Sequence, residues 1–262
     1  MPPLADLTAV RALLNRDRPW AAYAIGDLAP GYVEHAEWLV PPDGFSALVL
    51  VYRGFDLPIV FSMGDAHQLS GLFGEISPRE ISLHIRPEAL EPLRAHYALR
   101  YIRPMLRMIV EADAFRPASG HAAAPIGEAD ALAVAQLYDD GHHHGEGPTF
   151  FVPAMLRQNT FHGIWEGGAL VSIAGTHLYS REEGVCAIGN IYTHSDHRGR
   201  GLGACVTSAI VANAIADGIS TIILNVGHVN VAAQRVYRRL GFRDYCEFVE
   251  GEAVRGAGSR GL

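Results

Sequence analysis

The sequence predicts an α/β fold: a mixed, mostly antiparallel sheet flanked by helices, laid out in two successive halves. Three observations carry this expectation. A strand, a glycine-rich loop, an apolar helix, a second apolar strand and a short helix follow one another between Ile188 and Phe242. Upstream, two alternating runs meet at Gly167-Gly168, a two-residue hairpin signal. The first half of the chain then shows the same order of elements in abbreviated form.

Composition narrows the class. The chain has 262 residues, enough for one large domain or two small ones. About half the residues, 49%, are apolar and 19% are charged, as in an ordinary globular protein. The N-terminal Met-Pro-Pro-Leu-Ala-Asp lacks the basic start and apolar run of a signal peptide. The longest apolar stretches, 47–52 and 57–61, are strand-sized and far short of a membrane span. The three cysteines, Cys186, Cys205 and Cys246, are odd in number and lack metal-ligand spacing, so buried, inert thiols in a reducing, cytoplasmic setting are expected. Net charge is −7, and all the positive charge is arginine, because there is no lysine. With no basic run, nucleic acid is not an expected partner.

The elements of the second half follow in order. After a linker-like stretch at 115–125, residues 128–138 show helical periodicity (Ala131, Leu132, Val134, Ala135, Leu137, Tyr138), and a short helix is expected at 153–158. Strands are expected at 161–166, 169–178 and 184–193. Residues 202–216 are apolar nearly all round, so this helix should pack against a sheet, ending at Asp217-Gly218. The run 219–226, nearly unbroken after its polar start, is that of a central parallel strand buried on both faces. Asn230 caps the next helix, Gly241 ends it, and a last strand is expected at 242–250, with an exposed tail from 251. The first half gives helices at 7–15 and 20–28, strands at 35–40, 46–53 and 57–62, a helix at 66–74, a strand at 80–85, a helix at 87–97 and a strand ending near Val110.

Arg198-Gly199-Arg200-Gly201-Leu202-Gly203, followed by Ala204, opens the apolar helix. The first turn of a helix leaves backbone N–H groups without intrahelical partners, and the macrodipole adds partial positive charge. Glycines let that backbone approach a bulky polyanion, and the two arginines add charge beside it. The same residues satisfy the dinucleotide fingerprint G-x-G-x-x-A. That reading wants the glycines directly after a strand and an acidic residue about twenty positions on. Here Thr193 to His197 intervene, the next strand ends in Leu224-Asn225-Val226, and too little chain remains for a second nucleotide-binding half. A Walker-type loop fails for want of a lysine.

The pattern R-x-x-G-x-G followed by N-x-x-A-x-x-x-Y-x-x-L-G-F (Asn230, Ala233, Tyr237, Leu240-Gly241-Phe242) resembles the acyl-CoA-binding core of the GNAT N-acetyltransferase superfamily. The resemblance implies a GNAT fold with a splayed parallel central pair of strands, and acetyl-CoA as cosubstrate. Its diphosphate would lie on Arg198, Gly199, Arg200, Gly201, Leu202, Gly203 and Ala204. The pantetheine arm would lie along Ile191, Tyr192 and Thr193, with Asn225, Asn230, Ala233 and Tyr237 nearby. Gly189-Asn190 within an apolar strand suggests the bulge that would free those amides, with relief of crowding beneath a helix as the plainer alternative. The first half resembles a degenerate second GNAT fold, with Met63-Gly64-Asp65 where the phosphate loop belongs and a carboxylate that would repel phosphate. The expected domains are 1–118, without a phosphate loop, and 119–262, the acetyltransferase. The first would serve as a packing partner and one wall of the acceptor cleft, a separate regulatory ligand site being the alternative.

The implied chemistry is direct acyl transfer from acetyl-CoA to a primary amine, of a small molecule or a peptide, in a ternary complex. No metal, nucleic acid or membrane is expected, and the protein would be a monomer or homodimer. Tyr237 stands at the family's general-acid position, where a phenol can protonate the departing thiolate; core packing is its alternative. Asn230 is accounted for by N-capping alone. Where many family members carry a glutamate on the strand before the loop, this sequence has Ala187. Substitutes for that base are Glu146, His142, His143, His144, His194 and His228, acting directly or through water, or the amine could lose its proton to solvent. His142-His143-His144 reads as a polar loop bordering the acceptor rather than a metal site, since no cysteine or paired carboxylate completes a ligand set. Two rivals remain: a non-catalytic acyl-CoA sensor, favoured by Ala187 and opposed by Tyr237, and amino-acid conjugation resembling glycine N-acyltransferases.

Overall fold

A computed structural model describes residues 6–42, 46–148, 151–158 and 160–256. In chain order the elements are α1 (Leu7–Leu14), α2 (Arg18–Gly26), β1 (Ala36–Leu39), β2 (Ala47–Tyr52), β3 (Ile59–Gly64), α3 (Ala66–Glu75), β4 (Glu80–Ile85), α4 (Leu90–Arg94) and β5 (Tyr97–Val110). They continue with β6 (Ala124–Pro125), α5 (Ala131–His143), α6 (Met155–Gln158), β7 (Phe161–Glu166), β8 (Ala169–Ser180), β9 (Val185–Thr193), α7 (Leu202–Ala216), β10 (Thr221–Gly227), α8 (Val231–Arg239) and β11 (Arg243–Arg255). The mixed α/β class is the one the sequence predicts. The chain divides into two compact units, Met1–Arg107 with Tyr245–Leu262, and Met108–Asp244. The boundary expected at 118/119 therefore falls at 107/108, and the last strand, assigned from sequence to the second domain, belongs to the first unit. The first five residues, read for the absence of a leader, and residues 257–262 of the expected tail lie outside the described residues.

In the first unit the strand order is β1-β2-β3-β4-β11-β5. Antiparallel pairs join β1 to β2, β2 to β3 and β4 to β11. Strands β3 and β4 pair in parallel, in register from Ile59↔Ser82 to Phe61↔His84. Strand β11 runs past the expected end at 250, because Gly251 to Val254 pair with Leu83 to Glu80. The helix expected at 87–97 is cut to a 3-10 turn at Pro87–Ala89 and the short α4. Its end is decided by Tyr97, which enters β5, buries its ring and donates from its hydroxyl to Pro78 O at 2.6 Å.

A buried cation organises this unit. Arg107 is 0% exposed. Its guanidinium lies 5.0 Å from the Trp20 ring, 5.4 Å from Tyr23 and 5.2 Å from Phe248. It donates to the carbonyls of Pro19 (3.1 Å) and Trp20, and sits 2.5 Å from His84 Nε2. A buried charge is tolerated when its donors find acceptors, and the flat guanidinium also stacks on aromatic faces. Burial, and then Arg107 itself, holds the His84 imidazole well below its ordinary pKa, so it is neutral and can accept.

In the second unit the order is β10-β9-β8-β7-β6. The β7–β8 hairpin turns at Gly167-Gly168 as expected, and β8 and β9 are antiparallel. The stretch read as a linker is tied down instead. Ala124 and Pro125 pair with β7, Arg116 N–H donates to Leu240 O at 2.9 Å, and Ala118 N–H donates to Ser208 Oγ at 3.0 Å. Helix α7 follows the expected bounds, and its apolar surface is largely buried, including Val206, Ile210 and Val211. Helix α5 buries Val134, Leu137, Tyr138 and Gly141 at helical spacing, but it runs to His143, five residues beyond the expected end. His142 and His143 thus occupy the last helical turn rather than a loop. Of the cysteines, Cys186 and Cys205 are buried as expected, whereas Cys246 is half-buried.

The place of β11 can be checked by mutation. Phe248 is buried against His84 (4.5 Å between ring centroids) and Trp20 (5.8 Å). Phe248→Ala is expected to cost about 3–5 kcal/mol through lost burial and a cavity. Amide exchange should accelerate in β4 and β5. Unchanged protection of β4 in this variant would contradict the assignment of the last strand to the first unit.

Candidate active site

The site is built where two parallel strands part. Strands β9 and β10 are in register from Val185↔Thr221 to Ile188↔Leu224, and the pairing ends there. Strand β9 continues to Thr193 along β8 alone. Between the pairs Gly175↔Gly189 and Ile173↔Tyr192, β9 has one residue more than β8, so a bulge sits at Asn190-Ile191, where Gly189-Asn190 suggested it. Asn190 has φ 52° and is the one non-glycine residue with positive φ among those described. Asparagine tolerates this left-handed conformation better than most residues.

The bulge is buried and held from several sides. Asn190 is 5% exposed. Tyr138 on α5 donates to its carbonyl at 2.8 Å, His177 Nε2 lies 3.3 Å from its Oδ1, and its Nδ2 lies 3.9 Å from Met155 Sδ. Gly189 relieves crowding after all, though not beneath a helix. A Cβ there would stand 2.4 Å from the His177 ring. Beyond the bulge, His194 N–H donates to Val171 O at 2.9 Å. Because amides alternate between the two edges of an antiparallel strand, the Thr193 N–H points away from β8, to the edge that β10 has left.

The glycine loop follows directly. A single 3-10 turn, Ser195–His197, separates β9 from Arg198. Gly199 and Gly201 have φ 76° and 82°, a left-handed conformation that side chains strain, and nothing lies within 4 Å of a Cβ built on either. Gly201 is the N-cap of α7, and Cys205 N–H closes the first turn on its carbonyl at 3.1 Å. The amides of Leu202, Gly203 and Ala204 therefore belong to the helix's unsatisfied first turn. The loop is open and donor-rich.

Both arginines of the loop carry carboxylate partners. Arg198 pairs with Glu146 at 2.5 Å, donates to Tyr192 Oη at 3.1 Å and Thr193 O at 3.2 Å, and lies 5.5 Å from the Tyr192 ring. Arg200 makes a two-pronged bridge to Glu166 at 2.7 and 2.8 Å, which holds that carboxyl below its usual pKa. Asp140, at the end of α5, accepts from Tyr192 Oη, Ser195 N and Ser195 Oγ. Sequence reading passed over Asp140, Glu166 and Tyr138. Nothing in a single sequence distinguishes the partner carboxylates from solvated surface acids.

Among residues beyond β10, Asn230 Oδ1 accepts from Ala233 N–H at 3.1 Å, so the N-cap role accounts for it. Asn225 lies on β10 just past the end of the paired register, and Ala233 lies in the first turn of α8. Tyr237 is 7% exposed, with its ring 6.1 Å from that of Phe242, and burial pushes its phenol well above the ordinary value. It is therefore a proton carrier rather than an anion at neutral pH. Ala187 is 0% exposed and paired with Ile223, so β9 offers no carboxylate at that position. Of the candidate bases, Glu146 is held by Arg198, and His144 lies with Nδ1 2.7 Å from Asp140 O. His194 accepts from Asp196 N–H at 3.2 Å through Nδ1 and points Nε2 toward Asp140 at 3.8 Å. No group of three or more histidine, cysteine or acidic side chains suited to a metal ion occurs among the described residues. No helix among them is long and apolar enough to cross a membrane.

Comparison with known proteins agrees with this geometry. Residues 129–242 match the model of the Acetyltransferase (GNAT) family. Among solved structures, a GCN5-related N-acetyltransferase from Kribbella flavida superposes with a TM-score of 0.63 at 18% identity, covering 92% of this chain and 97% of that one. A GCN5-related N-acetyltransferase from Sphaerobacter thermophilus gives 0.59 at 18% identity, covering 90% and 86%. A tandem GNAT protein from the clavulanic acid biosynthesis pathway gives 0.56 at 13% identity, covering 96% and 95%. At these identities the structures speak for the fold, and the family model speaks for the segment that carries the glycine loop. Residues 129–242 thus match the GNAT acetyltransferase family, in a chain that shares the GNAT fold along most of its length.

Proposed function

We propose that the protein transfers an acetyl group from acetyl-CoA to a primary amine in a ternary complex, without metal or covalent enzyme intermediate. The observation that carries this is the parting of β9 and β10 at Ile188/Leu224, directly ahead of a glycine loop that opens α7. A strand edge with unused amides suits the amide-rich pantetheine arm. An uncapped helix N-terminus with left-handed glycines suits the diphosphate. Residues 191–193 and 198–204 would hold the coenzyme, with Asn225, Asn230 and Ala233 bordering it. The two arginines would exchange exposed carboxylate partners for phosphate, and exposed pairs are weak enough to give up.

In this reading Tyr237 donates its proton to the coenzyme sulfur as the thioester breaks. Burial keeps the phenol protonated. The amine is delivered neutral, its proton passing to water or to a side chain at the end of α5. A second reading, an acyl-CoA sensor without turnover, is favoured by one observation: the buried Ala187 where a strand-borne acid would stand. The setting is taken to be the cytoplasm, and the acceptor to be a small molecule or a peptide amine.

The first unit is proposed to hold no coenzyme, for two structural reasons. Beyond the last β3–β4 pair, Phe61↔His84, the buried Trp20 indole donates to Ser62 O at 3.0 Å and fills the place an arm would take. At the start of α3, Asp65 spends its carboxylate on the amides of His67 and Gln68, at 2.9 and 3.2 Å. Calorimetric titration is expected to give one equivalent of coenzyme A per chain, and two equivalents would contradict this.

Gly201→Val is expected to abolish coenzyme binding while the protein stays folded. The β-branched side chain cannot hold φ 82° without strain of about 1–2 kcal/mol, and it covers the loop amides. Unchanged affinity in a folded variant would remove the loop from the site. Tyr237→Phe keeps the ring and deletes the proton. A fall in kcat of about 10²-fold is expected, with acetyl-CoA affinity nearly unchanged, because the interaction is made mainly in the transition state. Parental turnover would make Tyr237 a packing residue. If both proteins bind acetyl-CoA and neither acetylates any amine in a broad panel, the sensor reading replaces the enzyme.

A further inference from the structure

We propose that Asp140 is a positioning residue for the glycine loop: its carboxylate fixes the turn between β9 and α7 so that the loop amides are presented to the coenzyme diphosphate. The inference rests on the coenzyme reading above and adds to it a residue on a different element, three strands and a helix earlier in the chain.

The geometry is specific. Asp140 Oδ2 accepts from Tyr192 Oη at 2.7 Å and from Ser195 N–H at 3.0 Å, and Oδ1 accepts from Ser195 Oγ at 3.1 Å. Both oxygens are thus committed to the segment that leads into the loop. Tyr192 Oη, having donated to Asp140, accepts from Arg198 Nη2 at 3.1 Å, and Arg198 Nε donates to Thr193 O at 3.2 Å. A chain of bonds therefore runs from the end of α5 to the first residue of the loop. Within the turn itself, His197 N–H and Arg198 N–H bond to His194 O and Ser195 O at 2.9 and 3.4 Å, and Asp196 N–H to His194 Nδ1 at 3.2 Å. The Asp140 side chain is 15% exposed. Its three donors hold it well below the usual carboxylate range. Its titratable neighbours are His144 Nδ1 at 3.5 Å and His194 Nε2 at 3.8 Å.

The sign of the effect separates positioning from charge. A carboxylate near a phosphate seat repels the ligand, so removing the charge alone would tighten binding. Loss of positioning does the opposite. An asparagine can accept at only one atom: with its Oδ1 kept on Tyr192 Oη and Ser195 N–H, the Ser195 hydroxyl must turn from donor to acceptor, and the neutral amide oxygen holds its donors more weakly than a carboxylate does.

The test uses the full chain with Asp140→Asn, Tyr192→Phe and the double variant, measuring coenzyme A affinity by calorimetry and amide exchange of the free protein. Asp140→Asn is expected to weaken coenzyme A about tenfold, or about 1.4 kcal/mol. Exchange should accelerate across 194–204 while the β8–β9 pairing keeps its protection. Tyr192→Phe, which keeps its ring in the core, should reproduce part of both effects. The double variant should lose no more than Asp140→Asn alone, because the two act through one network. Unchanged or tighter binding in Asp140→Asn, or unchanged exchange at 194–204, overturns the proposal; if Asp140→Asn does not fold, parental binding and exchange in Tyr192→Phe do so. Failure of the parental protein to bind coenzyme A defeats the coenzyme reading instead, and the exchange of the free protein still decides whether Asp140 orders the loop.

Discussion

One extra residue in one strand sets the architecture of the candidate site. Without the bulge at Asn190, the amides of β9 beyond it would turn to the opposite edges, and only the shift at His177 of β8 would interrupt the ladder. With it, the strand bends just as its parallel register with β10 ends. A bulge leaves backbone groups that the ladder cannot satisfy, and burial makes that costly. The second unit meets this cost with the Tyr138 hydroxyl on the Asn190 carbonyl, while His177 and Met155 hold the Asn190 side-chain amide. Helix α5 therefore does two things for β9. Its middle supports the bulge through Tyr138, and its end reaches the following turn through Asp140.

The two units show how the same strand order serves different ends. Each has a parallel pair whose register stops short of the strand ends, at Phe61↔His84 in one and Ile188↔Leu224 in the other. In the first unit the Trp20 indole donates to Ser62 O, one residue past that pair, and stacks with His84 and the guanidinium of Arg107. Its α3 begins with a carboxylate cap, where α7 begins with a glycine. A capped helix N-terminus has spent donors that an uncapped one keeps for a ligand.

Charge around the glycine loop is balanced before any ligand arrives. Arg198 faces Glu146, and Arg200 faces Glu166. These pairs are partly exposed, so each contributes little to folding and can be exchanged cheaply. They also keep two guanidinium groups oriented beside the loop. An overall net charge of −7 therefore says little about the site, where basic groups are local and paired.

The sequence by itself determined the class of the fold, most of the elements and the position of the loop, because these rest on short-range chemistry. A run apolar on nearly every side marked α7, helical periodicity marked the core face of α5, Gly167-Gly168 marked the hairpin, and Gly189-Asn190 marked the bulge. Asn230 and Gly201 announced helix ends through capping and left-handed backbone. Tertiary structure decided what depends on residues far apart in the chain. Strand β11 pairs with β4 some 170 positions upstream, and no local pattern reports that partner, so the unit boundary moved. Helix α5 outran its expected end at Tyr138 because Asp140, two residues later, is drawn to Tyr192 and Ser195. The roles of Asp140, Glu146 and Glu166 were invisible for the same reason. A carboxylate's partner is a fact of geometry, and sequence records only that the carboxylate is there.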